Sequence, residues 1–242
     1  MKEVTLDEYQ EQVVGEVMGT VMRRYRKPIK EVYVKETSTI TAATCKFTLE
    51  NLRILMLLRA MSYNNYIPDV ACSIPLKAYS QLFNISEEQT LADFTKAMEE
   101  LKTLEITPKG NPSFIGWILS YEFIEGNAIF YWNPKVEELD AEGKSYHICK
   151  LDYLKGMSSV LSLQLYRYLS PYIFFKKHCN YTESLVDILG IENFTGKPAE
   201  LKELLLPVIE EINKNTLLTI HSIAKTNKGL SFSLGKKLYV KK

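Results

Sequence analysis

Paired cysteines are missing from this chain. Its four cysteines, Cys45, Cys72, Cys149 and Cys179, stand far apart, and without a C-x-x-C step neither a metal knuckle nor a dithiol redox centre is expected. His147-x-Cys149 and His178-Cys179 set zinc-type donors close together, but neither has the paired spacing that brings four ligands around a tetrahedral ion. Long apolar runs are also missing. None approaches the roughly 18 to 20 residues of a membrane span, and Met1-Lys2-Glu3-Val4-Thr5 opens without the hydrophobic segment of a signal peptide. The expected location is the cytoplasm. Histidine is confined to His147, His178 and His221, which excludes the His-x-His metal site of a rolling-circle nickase. Gly143-Lys144-Ser145 ends like a phosphate-binding loop, yet Glu138 stands where the first glycine belongs. No base, acid and nucleophile set remains, so neither an enzyme nor a cofactor is expected.

What is present is the material of two ordinary globular domains: 242 residues, 46% hydrophobic and 24% charged. The net charge of +1 hides a gradient. Residues 37–145 hold 9 Lys/Arg against 14 Asp/Glu, and residues 146–242 hold 14 against 8. One half is acidic and the other basic, which directs polyanion contact to the second.

Periodicity supplies the elements. Tyr9, Val13, Val17 and Val21 fall at helical spacing between Leu6 and Arg26, ahead of the basic cluster Arg23 to Lys27. That segment reads as an amphipathic surface helix. Thr48 then caps a helix carrying Leu49, Leu52, Leu55, Met56 and Leu58, with Glu50 and Arg53 exposed. After a loop at Tyr63 to Asp69, Tyr79, Leu82 and Phe83 mark a short helix ending near Asn84. A longer one spans 90–104, with Leu91, Phe94, Met98 and Leu101 on one face. Extended segments follow at Phe114 to Ile124 and Ala128 to Trp132, split by Glu125-Gly126-Asn127. Helix, short helix, longer helix and hairpin is the order of a winged helix.

The second half repeats it. A helix is expected from Met157 to Phe175, with Leu161, Leu165, Leu169 and Tyr172 inward, and a short one from Glu183 to Leu189 led by Thr182 and ended by Gly190. The clearest amphipath covers 198–214, through Leu201, Leu204, Leu205, Val208, Ile209 and Ile212. Pro207 should bend it or loosen one hydrogen bond. A hairpin with the tip Lys225-Thr226-Asn227-Lys228-Gly229 closes the pattern. Leu82-Phe83-Asn84-Ile85 aligns with Ile188-Leu189-Gly190-Ile191, which points to a duplicated unit. The expected fold is α+β: an N-terminal helix and linker over 1–36, then tandem winged helices at 37–145 and 146–242.

Several of these segments, in order, resemble the Rep_3 family of plasmid replication initiators. Ile40-Thr41-Ala42-Ala43 and Phe47-Thr48-Leu49-Glu50-Asn51-Leu52-Arg53 look like its opening helices, and Ile74-Pro75-Leu76 through Ile85-Ser86 with Ala97-Met98-Glu99-Glu100-Leu101 like its first helix-turn-helix. Met157-Ser158-Ser159 with Leu165-Tyr166-Arg167-Tyr168-Leu169 resembles the family's leucine-tyrosine helix. Leu206-Pro207-Val208-Ile209-Glu210-Glu211-Ile212-Asn213 resembles its recognition-helix tail. The resemblance implies a monomer that binds direct repeats of origin DNA through both winged helices, and a dimer that binds an inverted repeat to repress its own gene. It also implies contact with the host initiator and the replicative helicase.

A recognition helix reads bases from exposed residues near its N-terminal end, and the wing tip reaches phosphate. Those rules select Lys197, Lys202 and Thr182, wing residues Lys225, Asn227 and Lys228, and Lys176 and Lys177 as backbone clamps. In the first half, Lys77 and Lys96 take a minor backbone role, because Asp93, Glu99, Glu100 and Glu105 repel phosphate; this half is expected to serve dimerisation or partner docking. Where the family places arginines early in the second recognition helix, this chain has Lys202, Glu203 and Leu204, and no arginine follows Arg167. Readout without the arginine fork uses amides, hydroxyls, water or DNA shape. Two alternatives stay open: a winged-helix repressor without a replication role, and a winged-helix protein-interaction module.

Overall fold

The computed structural model describes residues 33–62, 71–142, 146–172, 177–227 and 229–237. The expected helix over Leu6 to Arg26 and the loop Tyr63 to Asp69 lie outside them. Strand β1, Tyr33–Thr37, runs through a helical turn at Ser38–Thr41 into helix α1, Leu49–Ser62. Thr48 Oγ1 accepts the Asn51 amide at 3.3 Å, satisfying one of the donors a helix start leaves orphaned. Then come β2, Cys72–Pro75, α2, Leu76–Phe83, and α3, Glu87–Thr103. The short strands β3, Glu105–Ile106, and β4, Phe114–Ile115, precede the hairpin β5, Ile118–Ile124, and β6, Asn127–Trp132. Glu125 and Gly126 both have positive φ at its tip, the two-residue turn that suits the twist of paired strands.

Helix α4, Pro134–Ala141, starts on Asn133, whose side chain accepts the Lys135 amide. Strand β7, Tyr146–Lys150, and a 3-10 turn at Leu151–Gly156 lead to α5, Val160–Leu169. This helix is shorter than the expected span from Met157 to Phe175, of which residues 173–175 lie outside the described residues. It starts late because Ser159 caps it, accepting the Ser162 amide at 3.0 Å. It ends at Leu169 because Pro171 has no N–H for the Arg167 carbonyl, which takes the Ser170 hydroxyl instead at 3.2 Å, and the chain continues as a 3-10 turn. The second hairpin unit comprises β8, Lys177–Tyr181, α6, Thr182–Leu189, α7, Pro198–Asn215, β9, Leu218–Lys225, and β10, Gly229–Lys236.

The two units share one topology. Each has an antiparallel sheet of three strands in the order first, third, second: β2-β6-β5 and β8-β10-β9. The aligned tetrapeptides end their short helices in the same left-handed conformation. Asn84 has φ 55° and Gly190 φ 64°, and the next amide reaches back across the turn, Ile85 N–H to Ser80 O at 3.2 Å and Ile191 N–H to Val186 O at 3.0 Å. This is the left-handed helix stop, which asparagine and glycine tolerate best. The fold is a pair of winged helices.

Three side chains depart from the periodic reading. Leu91 and Leu204 are 45% and 41% exposed, each at the margin of its helix's apolar stripe. The inward face of α3 is instead Thr90, Phe94, Ala97, Met98 and Leu101. Arg53 is only part-exposed; its guanidinium donates to the Met157 carbonyl at 2.6 Å and lies 4.8 Å from the Phe83 ring centroid. It is drawn in because α1 packs on β1, β2, α3, α5 and the 3-10 turn before α5, so Leu52, Ile54, Leu55, Met56, Leu57 and Leu58 are all fully buried.

The halves meet at a second arginine. β1 pairs antiparallel with β7, Glu36 opposite His147. Glu36 is fully buried and receives a two-pronged fork from Arg167 of α5, Nε to Oε2 at 2.8 Å and Nη2 to Oε1 at 2.6 Å. Burial opposes the charge on Arg167, but Glu36 more than offsets it and holds the guanidinium pKa above its ordinary value. Arg59 adds its Nε 3.7 Å from Glu36 Oε1 and donates from Nη2 to Asp140 at 2.9 Å. Thr37 Oγ1 donates to the same carboxylate at 2.8 Å.

Removing one member leaves its partner charged and buried. Arg167→Leu should lower the unfolding free energy by about 3–5 kcal/mol, and adding Glu36→Leu should restore much of that loss. Urea denaturation of the four chains of the cycle checks this; strictly additive losses would show the pair uncoupled.

Candidate nucleic-acid interface

The feature that most resembles a nucleic-acid interface is the longest helix of the second unit with its hairpin. Pro198 occupies the first turn of α7 and Lys197 the N-cap, with extended backbone and no side-chain cap. Leu201, Leu205, Val208, Ile209 and Ile212 turn inward, leaving Ala199, Glu203, Leu206, Pro207 and Glu210 to solvent. The helix runs through Pro207 without interruption. The proline removes the donor for the Glu203 carbonyl, and both residues are exposed, where water can serve that oxygen.

The C-terminal end of α7 is fastened on two sides. Asn213 accepts the Ile220 amide at 2.7 Å and donates to the Ile220 carbonyl at 3.0 Å, tying helix to wing. The tie sits beside an irregularity: the β9–β10 register jumps between Ser233 and Leu234, which pair with Ser222 and Ile220, so His221 is the extra residue. Ile212 is fully buried alongside. Ile212-Asn213, the end of the recognition-helix tail, thus has a physical role: Ile212 anchors the core and Asn213 grips the wing. On the other side, Glu211 accepts the Ser158 amide at 2.7 Å and hydroxyl at 2.6 Å, and Asn215 donates to the Gly156 carbonyl at 2.6 Å. Burial would raise the Glu211 pKa, but hydrogen bonds from Ser158 and Ser162 outweigh it and hold the carboxyl below its ordinary value.

The expected contact residues are placed unevenly. Lys197 and Lys202 lie on the opening turns of α7, Lys197 exposed and Lys202 partly so. Lys225 ends β9 and Asn227 is exposed at the turn, which closes through Thr226 N–H to Gly229 O at 2.8 Å and Gly229 N–H to Thr226 Oγ1 at 3.0 Å. Lys228 and Lys176 lie outside the described residues. Lys177 begins β8 opposite Ser233, and Thr182 is the first residue of α6. In the first unit, Lys77 is exposed on the opening turn of α2. Lys96 stands 3.9 Å from Glu100, and the rest of α3 is acidic: Glu87, Glu88, Asp93, Glu99 and Glu100 against Lys96 and Lys102. Glu99 is further occupied by the Tyr121 hydroxyl at 2.7 Å. Burial and this carboxylate together push the phenol up to about 12. Glu211 and Asn213 were quoted in the recognition-helix tail, but their fastening roles were not foreseen; the available signal was two hydrogen-bonding side chains at the end of an amphipathic helix just before a hairpin.

The family model described as initiator replication protein, WH1, matches residues 33–170, more than half of the chain. The chain belongs to this family of replication initiators. A search of curated proteins returns no match. Among solved structures, the initiator resembles the Pi initiator protein in its crystal structure with iteron DNA, at a TM-score of 0.64 and 17% identity, covering 86% of this chain and 98% of that one. The structure of domains 2 and 3 of RctB gives a TM-score of 0.47 and 12% identity, covering 88% and 93%. Among the described residues, no helix is long and apolar enough to cross a membrane, and Cys45, Cys72 and Cys149 are buried free thiols. Burial pushes Cys149 up to about 12, which keeps it protonated and unreactive.

Two outcomes follow from the fastening of α7. Asn213→Ala leaves the Ile220 amide and carbonyl without their partner, and should cost about 1–3 kcal/mol, with faster amide exchange in β9 than in β5. Because the folded Glu211 carboxyl titrates below its ordinary value of 4.5, its contribution is present above that value and is lost as pH falls through the lower folded one. Thermal melts of Glu211→Gln should therefore decline less than those of the parent below about pH 4.5; parallel curves would remove Glu211 from the account.

Proposed function

We propose that this initiator binds repeated double-stranded origin DNA, gripping it mainly through the second winged helix. The observation that carries the reading is the cation set around that unit's wing and recognition helix. Among the described residues no carboxylate pairs with Lys197, Lys202 or Lys225, and Lys228 adjoins the exposed Asn227 in sequence. Lysines in that condition neutralise phosphates and release counterions, the main source of affinity for DNA. The Pi initiator, whose fold this chain shares, was crystallised on iteron DNA. Lys176 and Lys177 serve as backbone clamps beside Thr182.

The division of labour follows the charge. Residues 37–145 form the first domain and serve dimerisation or docking of the host initiator and replicative helicase, with Lys77 and Lys96 touching backbone. Residues 146–242 form the main DNA-binding domain, and residues 1–36 add an N-terminal helix and linker. A monomer binds direct repeats, and a dimer in equilibrium with it binds an inverted repeat and represses the initiator's own gene. The protein works in the cytoplasm and performs no chemistry of its own.

A second reading has one observation in its favour. Leu204, Leu206, Glu200, Glu203 and Glu210 are exposed on α7, a surface that also suits a protein-interaction module. Footprinting the DNA around the gene separates the readings. Protection of several direct repeats supports the initiator, a lone inverted repeat supports a repressor, and no protection between about 50 and 200 mM salt supports the interaction module. On protected DNA, Lys225→Ala should weaken binding evenly across sequences and reduce the slope of log affinity against log salt by about 1. Lys109→Ala, at an exposed position in the first unit, should leave the slope unchanged.

A further inference from the structure

The solvent face of α7 carries an order of chemical groups that lysine contacts with phosphate leave unexplained. The centre of that face near the N-terminus is formed by Ala199, Glu203 and Leu206, spaced i, i+4, i+7, with Pro207 beside them; all are exposed, Leu206 by 39%. Beside this row stand Lys197 at the cap and Lys202 on one flank, with exposed Glu200 on the other flank and exposed Glu210 one turn beyond Leu206. Arginine is not at hand. Of the three arginines among the described residues, Arg53 is turned onto Phe83 and Met157, while Arg59 and Arg167 are buried against Glu36 and Asp140.

We propose that the second recognition helix reads pyrimidines, with Ala199 and Leu206 against the methyl groups of two thymines about three base steps apart and Glu203 accepting from the amino group of a cytosine between them. This rests on the DNA-binding reading of the same unit. The chemistry is restrictive. A carboxylate is an acceptor only, and the major-groove edge of guanine presents acceptors at N7 and O6, so Glu203 repels guanine and finds a donor in cytosine N4. Aliphatic groups pair with the one apolar feature of the groove, the thymine methyl. Against phosphate an exposed carboxylate is unfavourable; facing a base donor it discriminates. The spacing agrees: seven residues of helix rise about 10.5 Å, close to three steps of roughly 3.4 Å along a strand. The flanking lysines supply the attraction to phosphate that brings this uncharged and acidic row to the groove.

The test uses the full chain and duplexes carrying the repeats protected in footprinting, at a fixed salt of about 100 mM. The first comparison is the repeat against a scrambled duplex. Equal affinity for both would overturn the DNA reading and this proposal together. The second replaces every thymine of the repeat by uracil, which removes methyl groups and keeps the hydrogen-bonding pattern. Affinity should fall roughly tenfold, and Leu206→Ala should bind the thymine duplex less tightly and respond less to uracil. Third, selection from a randomised repeat should recover cytosine at one position for the parent, and Glu203→Gln should shift that position towards adenine, which a glutamine amide matches. Specific binding with no uracil effect, or unchanged preferences in Glu203→Gln, overturns the pyrimidine readout and leaves DNA binding standing. Both side chains are exposed, and thermal melts confirm that the variants are folded.

Discussion

The contact on which the arrangement of the molecule depends is the buried fork between Arg167 and Glu36. It joins residues 131 positions apart, one in a strand that precedes the first winged helix and the other in the opening helix of the second. Neither charge tolerates burial alone, since an isolated ion in a low-dielectric interior costs several kcal/mol even after relaxation. Each therefore requires the other, and β1 must lie where α5 can reach it. Arg59 and Asp140 extend the same requirement to α1 and α4. An apolar contact of equal area would tolerate sliding between the parts; a two-pronged ion pair has one geometry.

Around that junction the two units keep the same backbone devices and differ on their surfaces. The left-handed stop at Asn84 and Gly190 and the shared strand order are matters of chain geometry, which a duplicated sequence retains because few residues satisfy them. Surface charge has no such constraint. The long helix of the first unit engages two of its acids with neighbouring side chains, Glu100 with Asn51 and Glu99 with Tyr121, whereas α7 carries Glu200, Glu203, Glu210 and Glu211 against Lys202 and Lys214, with Lys197 at its cap. Both long helices are acidic, and the cations that set the second unit apart are at its cap, Lys197, and its wing, Lys225.

The long amphipathic helices were legible in the sequence because several apolar side chains repeat at one spacing, and the hairpins because turn residues separate β-branched runs. The strands β1, β7 and β8 were not. Each has five residues, too few for alternation to stand out, and each is fixed by pairing with a distant partner that no local pattern names. Helix α4 did carry a signal, Asn133-Pro134, a cap residue followed by a first-turn proline. For the candidate site, the lysines were legible as charges but not their pairing. The state of a lysine depends on which carboxylates the fold brings near: Lys96 has Glu100 one turn away, while Lys225 ends a strand at a turn. Asn213 was legible as the end of the recognition-helix tail but not in its role, because its grip on Ile220 exists only once the hairpin folds back.

The placement of arginine links the core to the chemistry of the surface. A guanidinium is the side chain best suited to buried ion pairs and also the one best suited to guanine. In the described part of this chain all three are taken up by the interior and its margins. Lysine remains for the surface; its ammonium is a compact point charge that attracts phosphate and lacks the rigid planar fork of a guanidinium. The proposed readout therefore assigns affinity and discrimination to different residues. On the proposed reading the lysines of the wing and cap supply the former, and discrimination by α7 falls to Ala199, Glu203 and Leu206. A helix with arginines on that face would gain attraction and readout from the same atoms; if the proposed readout holds, the two are separable here, and a change in Glu203 or Leu206 would alter sequence preference without altering the salt dependence set by the lysines.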